Sequence, residues 1–252
     1  MRVAVCLYGY PRHFQNGIKS LEHFFEDIEH DYFIHAWHDP NNSSDIEFNR
    51  THDDISKTFK PVSFVLENQL EFKKSFDFPH DISCLKPELI SQGIGVSTFL
   101  SALYSIKRVG ELLQESPNNY DLVVLTRMDV FSYKQLKSYH FESYDEIYSS
   151  FCHGQIWDLN NLGDCIDTKM IISNKSNMIF FMKLYEFVEN YIQNDKIKVC
   201  HHRMFAHHLK KLDRRFHMMF HEMFNWYYIR SNGLLHGELR DSHIEEYKEI
   251  FQ

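Results

Sequence analysis

The sequence predicts an α/β fold in which a mostly parallel sheet is flanked by helices. Residues 3–7 and 122–125 are unbroken apolar runs rich in β-branched residues, as expected of strands buried on both faces of a sheet. Segments with apolar residues at helical spacing alternate with such runs, and the connections are short. This alternation favours parallel strands joined by helices that cover the sheet.

Length, composition and charge narrow the class of protein. A chain of 252 residues fits one α/β domain, and we expect a single domain over residues 1–252. Hydrophobic residues make up 43% of the chain and aromatic residues 15%, which argues against disorder. The net charge of -8 argues against a nucleic-acid partner or an anionic membrane, because both require a basic face. Any phosphate ligand must therefore be bound by a local group of cations.

Cysteines and apolar runs bear on the setting of the protein. The five cysteines are scattered singly, without a CxxC pair, so the sequence predicts neither a disulfide framework nor a zinc knuckle. A strand is predicted within two residues of Met1, which leaves no signal region, and nowhere do eighteen apolar residues run together. We expect a cytoplasmic protein without a transmembrane segment.

The first half of the chain divides into predicted elements. The strand at residues 3–7 is followed by the loop Tyr8-Gly9-Tyr10-Pro11-Arg12 and by a helix with apolar residues between 18 and 28. A second strand is expected at 31–39, a short helix beginning with Asp53, and a third strand at 62–66. Residues 67–93 show no sustained period and predict an irregular segment. A longer helix is expected at 99–113, before the strand at 120–131.

The second half is less regular. Residues 132–163 are aromatic and polar with weak periodicity, and a strand is predicted at 169–173. Ser176 is expected to cap a helix whose core face runs from Met178 to Ile192, and another helix is expected at 199–212. The pattern of 216–230 fits a strand or a helix equally well.

A cation and an anion follow the strand that begins at Leu122. If the strand continues, its period of two puts Arg127 and Asp129 on one face at its carboxyl end, where open α/β sheets bind ligands. The pair suits a ligand that carries phosphate together with a metal ion or sugar hydroxyls. A structural ion pair that closes the strand explains it equally well. We expect Asp129 to be a surface carboxylate.

Several short motifs carry a resemblance to a known family. The Tyr8–Arg12 loop, the strand Phe33-Ile-His-Ala-Trp37, the helix Tyr104-Ser-Ile-Lys107 and the strand that holds Arg-x-Asp resemble a group of bacterial and viral glycosyltransferases. The resemblance covers residues 1–212 in consistent order. It implies a GT-A-like fold, with residues 1–131 as the nucleotide-sugar-binding half and residues 132–252 as the acceptor-side half. It also implies two partners, a nucleotide-diphosphate sugar donor and a saccharide or glycoconjugate acceptor, in the cytoplasm of a host if the protein is viral.

The resemblance also implies site residues. The donor-binding candidates are Tyr8, Gly9, Pro11, Arg12, Trp37, Lys107, Arg127 and Asp129. For inversion, the reaction needs a carboxylate base that faces the anomeric carbon, and the family's later aspartate corresponds best to Asp167 and less well to Asp164. His201 or His202 is a further candidate for contact with the donor phosphate.

Metal dependence is the main question that the resemblance leaves open. The family's usual Asp-x-Asp motif offers two carboxylates to a divalent cation, whereas Arg127 stands in place of the first. We expect Mn²⁺ or Mg²⁺ on Asp129, because one carboxylate with phosphate oxygens can suffice. The alternative is metal-independent neutralisation of the diphosphate by Arg127.

Two other functions fit the same sequence features. One is a nucleotidyltransferase on a similar fold, which would release pyrophosphate rather than a nucleoside diphosphate. The other is a catalytically inactive domain of the same fold that binds saccharides without donor turnover.

Overall fold

A computed structural model describes residues 1–38, 52–69, 72, 96–132, 134–150, 170–197, 199, 201–212, 216–219, 226–229 and 235–236. The first half contains strands β1 (Arg2–Gly9), β2 (Glu29–His38), β3 (Ser63–Asn68), β4 (Leu122–Arg127) and β5 (Val130–Ser132), with helices α1 (Phe14–Phe24), α2 (His52–Phe59) and α3 (Val96–Glu115). The second half contains strands β6 (Ile147–Ser150), β7 (Met170–Ser173), β8 (Phe216–Met219), β9 (Trp226–Ile229) and β10 (Leu235–His236), with helices α4 (Lys175–Met182), α5 (Val188–Gln193) and α6 (His201–Leu209).

Seven of the described strands form one sheet in the order β3-β2-β1-β4-β7-β6-β8. β3, β2, β1 and β4 are parallel to one another, and β7 pairs antiparallel with both β4 and β6. A second sheet of three described strands, β10-β9-β5, is antiparallel. The predicted α/β fold class, a mostly parallel sheet flanked by helices, is confirmed.

Two apolar cores lie on the two faces of the large sheet. Alternate residues of β1 enter different cores, because neighbouring side chains of a strand point to opposite faces: Val3, Val5 and Leu7 pack toward α1 and α2. Ala4 and Cys6 pack toward α3 and the later helices. Burial on both faces explains why the strands read as continuous apolar runs.

The second half differs from its predicted elements in three ways. Asn174, rather than Ser176, caps α4, because its side chain accepts a hydrogen bond of 2.8 Å from the backbone N–H of Asn177. The single helix expected over Met178–Ile192 is divided, since a 3-10 segment at Lys183–Phe187 separates α4 from α5. The undecided stretch 216–230 contains the strands β8 and β9.

Helix α1 approaches the end of β4 closely at a glycine. A Cβ built on Gly17 would lie 1.7 Å from the carbonyl oxygen of Met128, the residue between Arg127 and Asp129. Only glycine fits at this contact, so α1 supports the turn that carries Asp129.

In the part of the chain that the structure describes, no helix is both long and apolar enough to cross a membrane.

Candidate functional site

A cavity of about 280 Å³ opens at the carboxyl ends of the parallel strands. It lies where the chain order of the sheet reverses, since β2 and β3 are on one side of β1 and β4 is on the other. Tyr8 and Arg127, which border it, are register partners across β1 and β4. Ligands of open α/β sheets bind at such a reversal point. The described residues that line the cavity are Tyr8, Gly9, Tyr10, Arg12, Trp37, Gln69, Thr98, Ser101, Ala102 and Arg127.

The loop after β1 forms one wall of this cavity. Gly9 has a φ of +99°, a backbone conformation that side chains with a Cβ rarely adopt, and its N–H donates to Ser105 Oγ over 2.9 Å. The Tyr10 hydroxyl donates to Gln69 Oε1, and the Arg12 guanidinium carbon lies 5.5 Å from the centre of the Tyr10 ring. Pro11 is buried between these two lining residues. The predicted donor loop, Tyr8–Arg12, therefore presents one cation and two aromatic rings to the cavity.

Arg127 and Asp129 form a two-pronged ion pair. Arg127 Nε donates to Asp129 Oδ1 over 2.7 Å and Nη2 donates to Oδ2 over 2.5 Å. β4 ends at Arg127, so a turn through Met128, rather than continued strand, brings the two side chains together. The expectation of a surface carboxylate was wrong: Asp129 is only 2% exposed, because the turn packs against α1 and the carboxylate lies under the guanidinium.

Asp129 does not fit the role of a cation ligand in this arrangement. Both of its oxygens accept hydrogen bonds from Arg127, so a divalent ion would have to displace a guanidinium already in place. The described ranges contain no group of three or more histidine, cysteine or acidic side chains that could hold a metal ion without a ligand's oxygens. This geometry differs from the expectation that Asp129 is available for Mn²⁺ or Mg²⁺.

Trp37 borders the cavity but is almost fully buried. The side chain is 1% exposed, and its Nε1 donates to the carbonyl oxygen of Ser101 over 3.1 Å. Its ring stacks on Tyr104 at 5.6 Å between centroids and packs on Phe72 at 5.1 Å. The indole is therefore held rigidly by α3 while it borders the cavity.

Other predicted residues lie elsewhere. Lys107 is on α3, where its ammonium group pairs with Glu111 at 3.4 Å and with Glu186 at 3.7 Å, and it is not among the described residues that line the cavity. Asp167 and Asp164 fall outside the described residues.

His201 on α6 lies close enough to Arg127 for that charge to act on it. Desolvation of the ring, together with the positive charges of His202 and Arg127, lowers the pKa of His201 to about 4. Its ring centre is 4.8 Å from that of Phe99. His201 is therefore neutral at physiological pH and adds no charge to the site.

Five lining residues were missing from the predicted site. Tyr10 lies inside the predicted loop, so its neighbours Gly9 and Arg12, which were predicted, could have indicated it. Thr98, Ser101 and Ala102 are small residues within a turn or two of the Tyr104 motif on the same helix. Gln69 follows β3 directly, at the start of the segment that shows no period, and no pattern indicated it.

Comparisons with known proteins give likenesses among solved structures. No protein-family model and no curated protein matches the sequence. The galactosyltransferase LgtC, in complex with donor and acceptor sugar analogues, aligns at 14% identity over 86% of this chain and 73% of its own, with a TM-score of 0.44. An active-site mutant of LgtC aligns at 12% identity over 86% and 72%, with a TM-score of 0.46. Mouse xyloside xylosyltransferase 1 aligns at 9% identity over 86% and 84%, with a TM-score of 0.43.

Proposed function

We propose that the protein is a glycosyltransferase that moves a sugar from a nucleotide-diphosphate sugar to a saccharide or glycoconjugate acceptor. The observation that carries this proposal is the pair of arginines at the cavity. Of its ten described lining residues, two are arginines and none is acidic, although the chain as a whole has a net charge of -8. Although Asp129 compensates the charge of Arg127, the lining itself presents two guanidinium groups, and these suit an anionic ligand such as a diphosphate.

Each group of lining residues has a role in the proposed reaction. Transfer from such a donor requires positive charge beside the departing diphosphate, and Arg12 and Arg127 supply it. Tyr8, Gly9, Tyr10 and Trp37 border the space for the nucleoside, with aromatic surface for the base and backbone for close approach. A volume of about 280 Å³ is near the lower end of small-molecule sites, which begin at about 300 Å³, and suits this part of the donor.

The charge of the diphosphate is neutralised by arginine in this proposal. Asp129 holds the Arg127 guanidinium in a fixed orientation, and a planar guanidinium matches the geometry of phosphate oxygens. The divalent cation on Asp129 that the sequence predicted is the alternative to this proposal, and it requires Arg127 to release the carboxylate. Asp167, and after it Asp164, remain the proposed base that accepts the proton of the acceptor hydroxyl.

Replacing Arg12 by Ala tests where the donor binds. We expect binding of UDP or GDP, whichever the wild-type chain prefers, to weaken by about 10- to 150-fold, because a charge-assisted hydrogen bond contributes roughly 1.5–3 kcal/mol. Calorimetric titration gives the affinity. Arg2→Ala is the matched control: Arg2 begins β1, at the amino ends of the parallel strands and away from the cavity, where it pairs with Asp31 at 2.8 Å. If both variants lost affinity equally, or if neither lost any, the nucleotide would have to bind elsewhere.

A further inference from the structure

Two buried side chains and one partly exposed side chain connect the donor loop to the surface. Ser105 on α3 and His35 on β2 are both fully buried, and Ser105 Oγ lies 2.7 Å from His35 Nδ1. The same oxygen accepts the hydrogen bond from the Gly9 N–H. On its other side, His35 Nε2 lies 3.6 Å from Glu67 Oε1, at the partly exposed end of the chain of contacts. Ser105 and His35 belong to two of the sequence motifs, yet the proposed reaction assigns them no role.

The charges of these groups fix the direction of the hydrogen bonds. The nearby His35 ring, 3.6 Å away, and then the hydrogen bond from Arg108 hold the pKa of Glu67 down at about 2, so Glu67 is an anion that only accepts. Burial lowers the pKa of His35, so its ring is neutral and the proton is on Nε2, toward Glu67. The Ser105 hydroxyl then donates to Nδ1 at 2.7 Å, the shorter of its two contacts with His35, the other being the His35 carbonyl oxygen at 3.3 Å; lone pairs of Ser105 Oγ remain for the Gly9 N–H.

A chain of contacts from a serine to a histidine to a glutamate is also typical of nucleophilic catalysis, but the geometry here argues against that role. Ser105 is 0% exposed, and its oxygen already accepts the Gly9 N–H. Ser101, one turn earlier on α3, is the serine among the described lining residues. A substrate therefore has no access to Ser105 Oγ, and the contacts can act only by positioning other groups.

The group that they position is the amide of Gly9. A Cβ built at Gly9 would meet no described atom within 4 Å, so packing around the α-carbon contributes little to its position. Its positive φ is a conformation that an unrestrained chain leaves readily. Together with the pairing of Gly9 with Ala36 across β1 and β2, the hydrogen bond to Ser105 fixes the point from which the loop continues to Arg12, three residues later.

We infer that Ser105, with His35 and Glu67 behind it, is a positioning residue that holds the Gly9–Arg12 loop in the geometry that binds the donor nucleotide. This inference rests on the proposed function, because the loop is its donor-binding wall. Arg108 and Tyr104 extend the same chain of contacts: Arg108 Nε donates to Glu67 over 2.9 Å, and the Tyr104 hydroxyl donates to it over 3.2 Å. Since Tyr104 also stacks on Trp37, two walls of the cavity share one buried support.

The test is to replace Ser105 by Ala in the full chain and to titrate UDP and GDP by calorimetry. We expect at least tenfold weaker nucleotide binding and faster hydrogen exchange of the Gly9 amide. Ser20→Ala is a matched control, because Ser20 is also a fully buried helical serine that accepts a backbone N–H, from Ser132 over 2.7 Å. It should lose similar stability in urea but keep the affinity for nucleotide. Ser105→Thr retains the hydroxyl and should recover most of the affinity.

The outcomes separate the inference from the proposed function. Wild-type affinity in a folded Ser105→Ala variant, or an equal loss of affinity in Ser20→Ala, would overturn the inference and leave the proposed function standing. If the wild-type protein bound neither nucleotide, the proposed function would fail and the inference with it. If Ser105→Ala does not fold, Glu67→Gln removes only the charge at the partly exposed end, and an unchanged affinity there would likewise overturn the inference.

Discussion

An Arg127→Gln variant is expected to lose both stability and nucleotide affinity. The substitution leaves the Asp129 carboxylate, 2% exposed, without the guanidinium that satisfies both of its oxygens. Removing one partner of a buried ion pair costs about 3–5 kcal/mol, and we expect the lower end because the Arg127 side chain is 31% exposed. For a chain of this length, about 3 kcal/mol lowers the melting temperature by roughly 6–12 °C.

A double variant separates the two effects. In Arg127→Gln with Asp129→Asn the buried charge is gone, so we expect most of the stability to return while nucleotide binding stays at least tenfold weaker. Thermal unfolding and calorimetric titration of the two variants measure the two quantities independently. Recovery of both in the double variant would show that Arg127 is a structural partner of Asp129 and not a phosphate ligand. Arg127→Lys keeps the charge and tests whether the planar guanidinium is required.

Gly17→Ala should destabilise the protein by at least about 3 kcal/mol. The new methyl group would lie 1.7 Å from the carbonyl oxygen of Met128. No side-chain rotation relieves a clash with backbone, so α1 must move away from the turn between Arg127 and Asp129. The measurement is the midpoint of urea unfolding.

Gly110→Ala is the control for this substitution. Its Cβ would lie 2.6 Å from the Cβ of Met182 on α4, a less severe overlap than 1.7 Å from a backbone carbonyl oxygen, so a smaller loss is expected. In a helix interior, alanine is also more favourable than glycine by roughly 1 kcal/mol of folding free energy. If Gly17→Ala were as stable as the wild type, α1 would not pack against Met128 as described here.

The strands near the site were predictable, since their side chains are buried on both faces and leave a continuous apolar run. The Gly9-to-Arg12 loop was predictable as well, because glycine and proline mark a backbone that leaves a strand abruptly. The burial of Asp129, by contrast, could not be predicted from the sequence. Its burial depends on a turn at Met128 and on a contact with Gly17 more than a hundred residues earlier, and neither is part of a local period.

The second half of the chain was less predictable for a related reason. β6 pairs with β7 and β8, which are distant in sequence. Its strand conformation therefore depends on these pairings and not on a local apolar pattern. The division between α4 and α5 shows the same limit: the apolar spacing continues through Lys183–Phe187 although the backbone tightens to a 3-10 segment. Gln69 enters the cavity from the end of β3, where no motif preceded it.

The most direct test of the proposed function is a thermal-unfolding panel of nucleotide-diphosphate sugars, each with Mn²⁺ and with EDTA, followed by product analysis for any sugar that binds. A ligand at about a hundred times its Kd stabilises the folded chain by about 2.7 kcal/mol, or roughly 5–10 °C in melting temperature. We expect at least one nucleotide-diphosphate sugar to stabilise the chain both with Mn²⁺ and with EDTA, because Arg12 and Arg127 supply the positive charge. With an acceptor present, that donor should release a nucleoside diphosphate. Stabilisation only with Mn²⁺ would contradict arginine-based neutralisation. No stabilisation by any sugar, or release of pyrophosphate, would contradict the proposed glycosyltransferase.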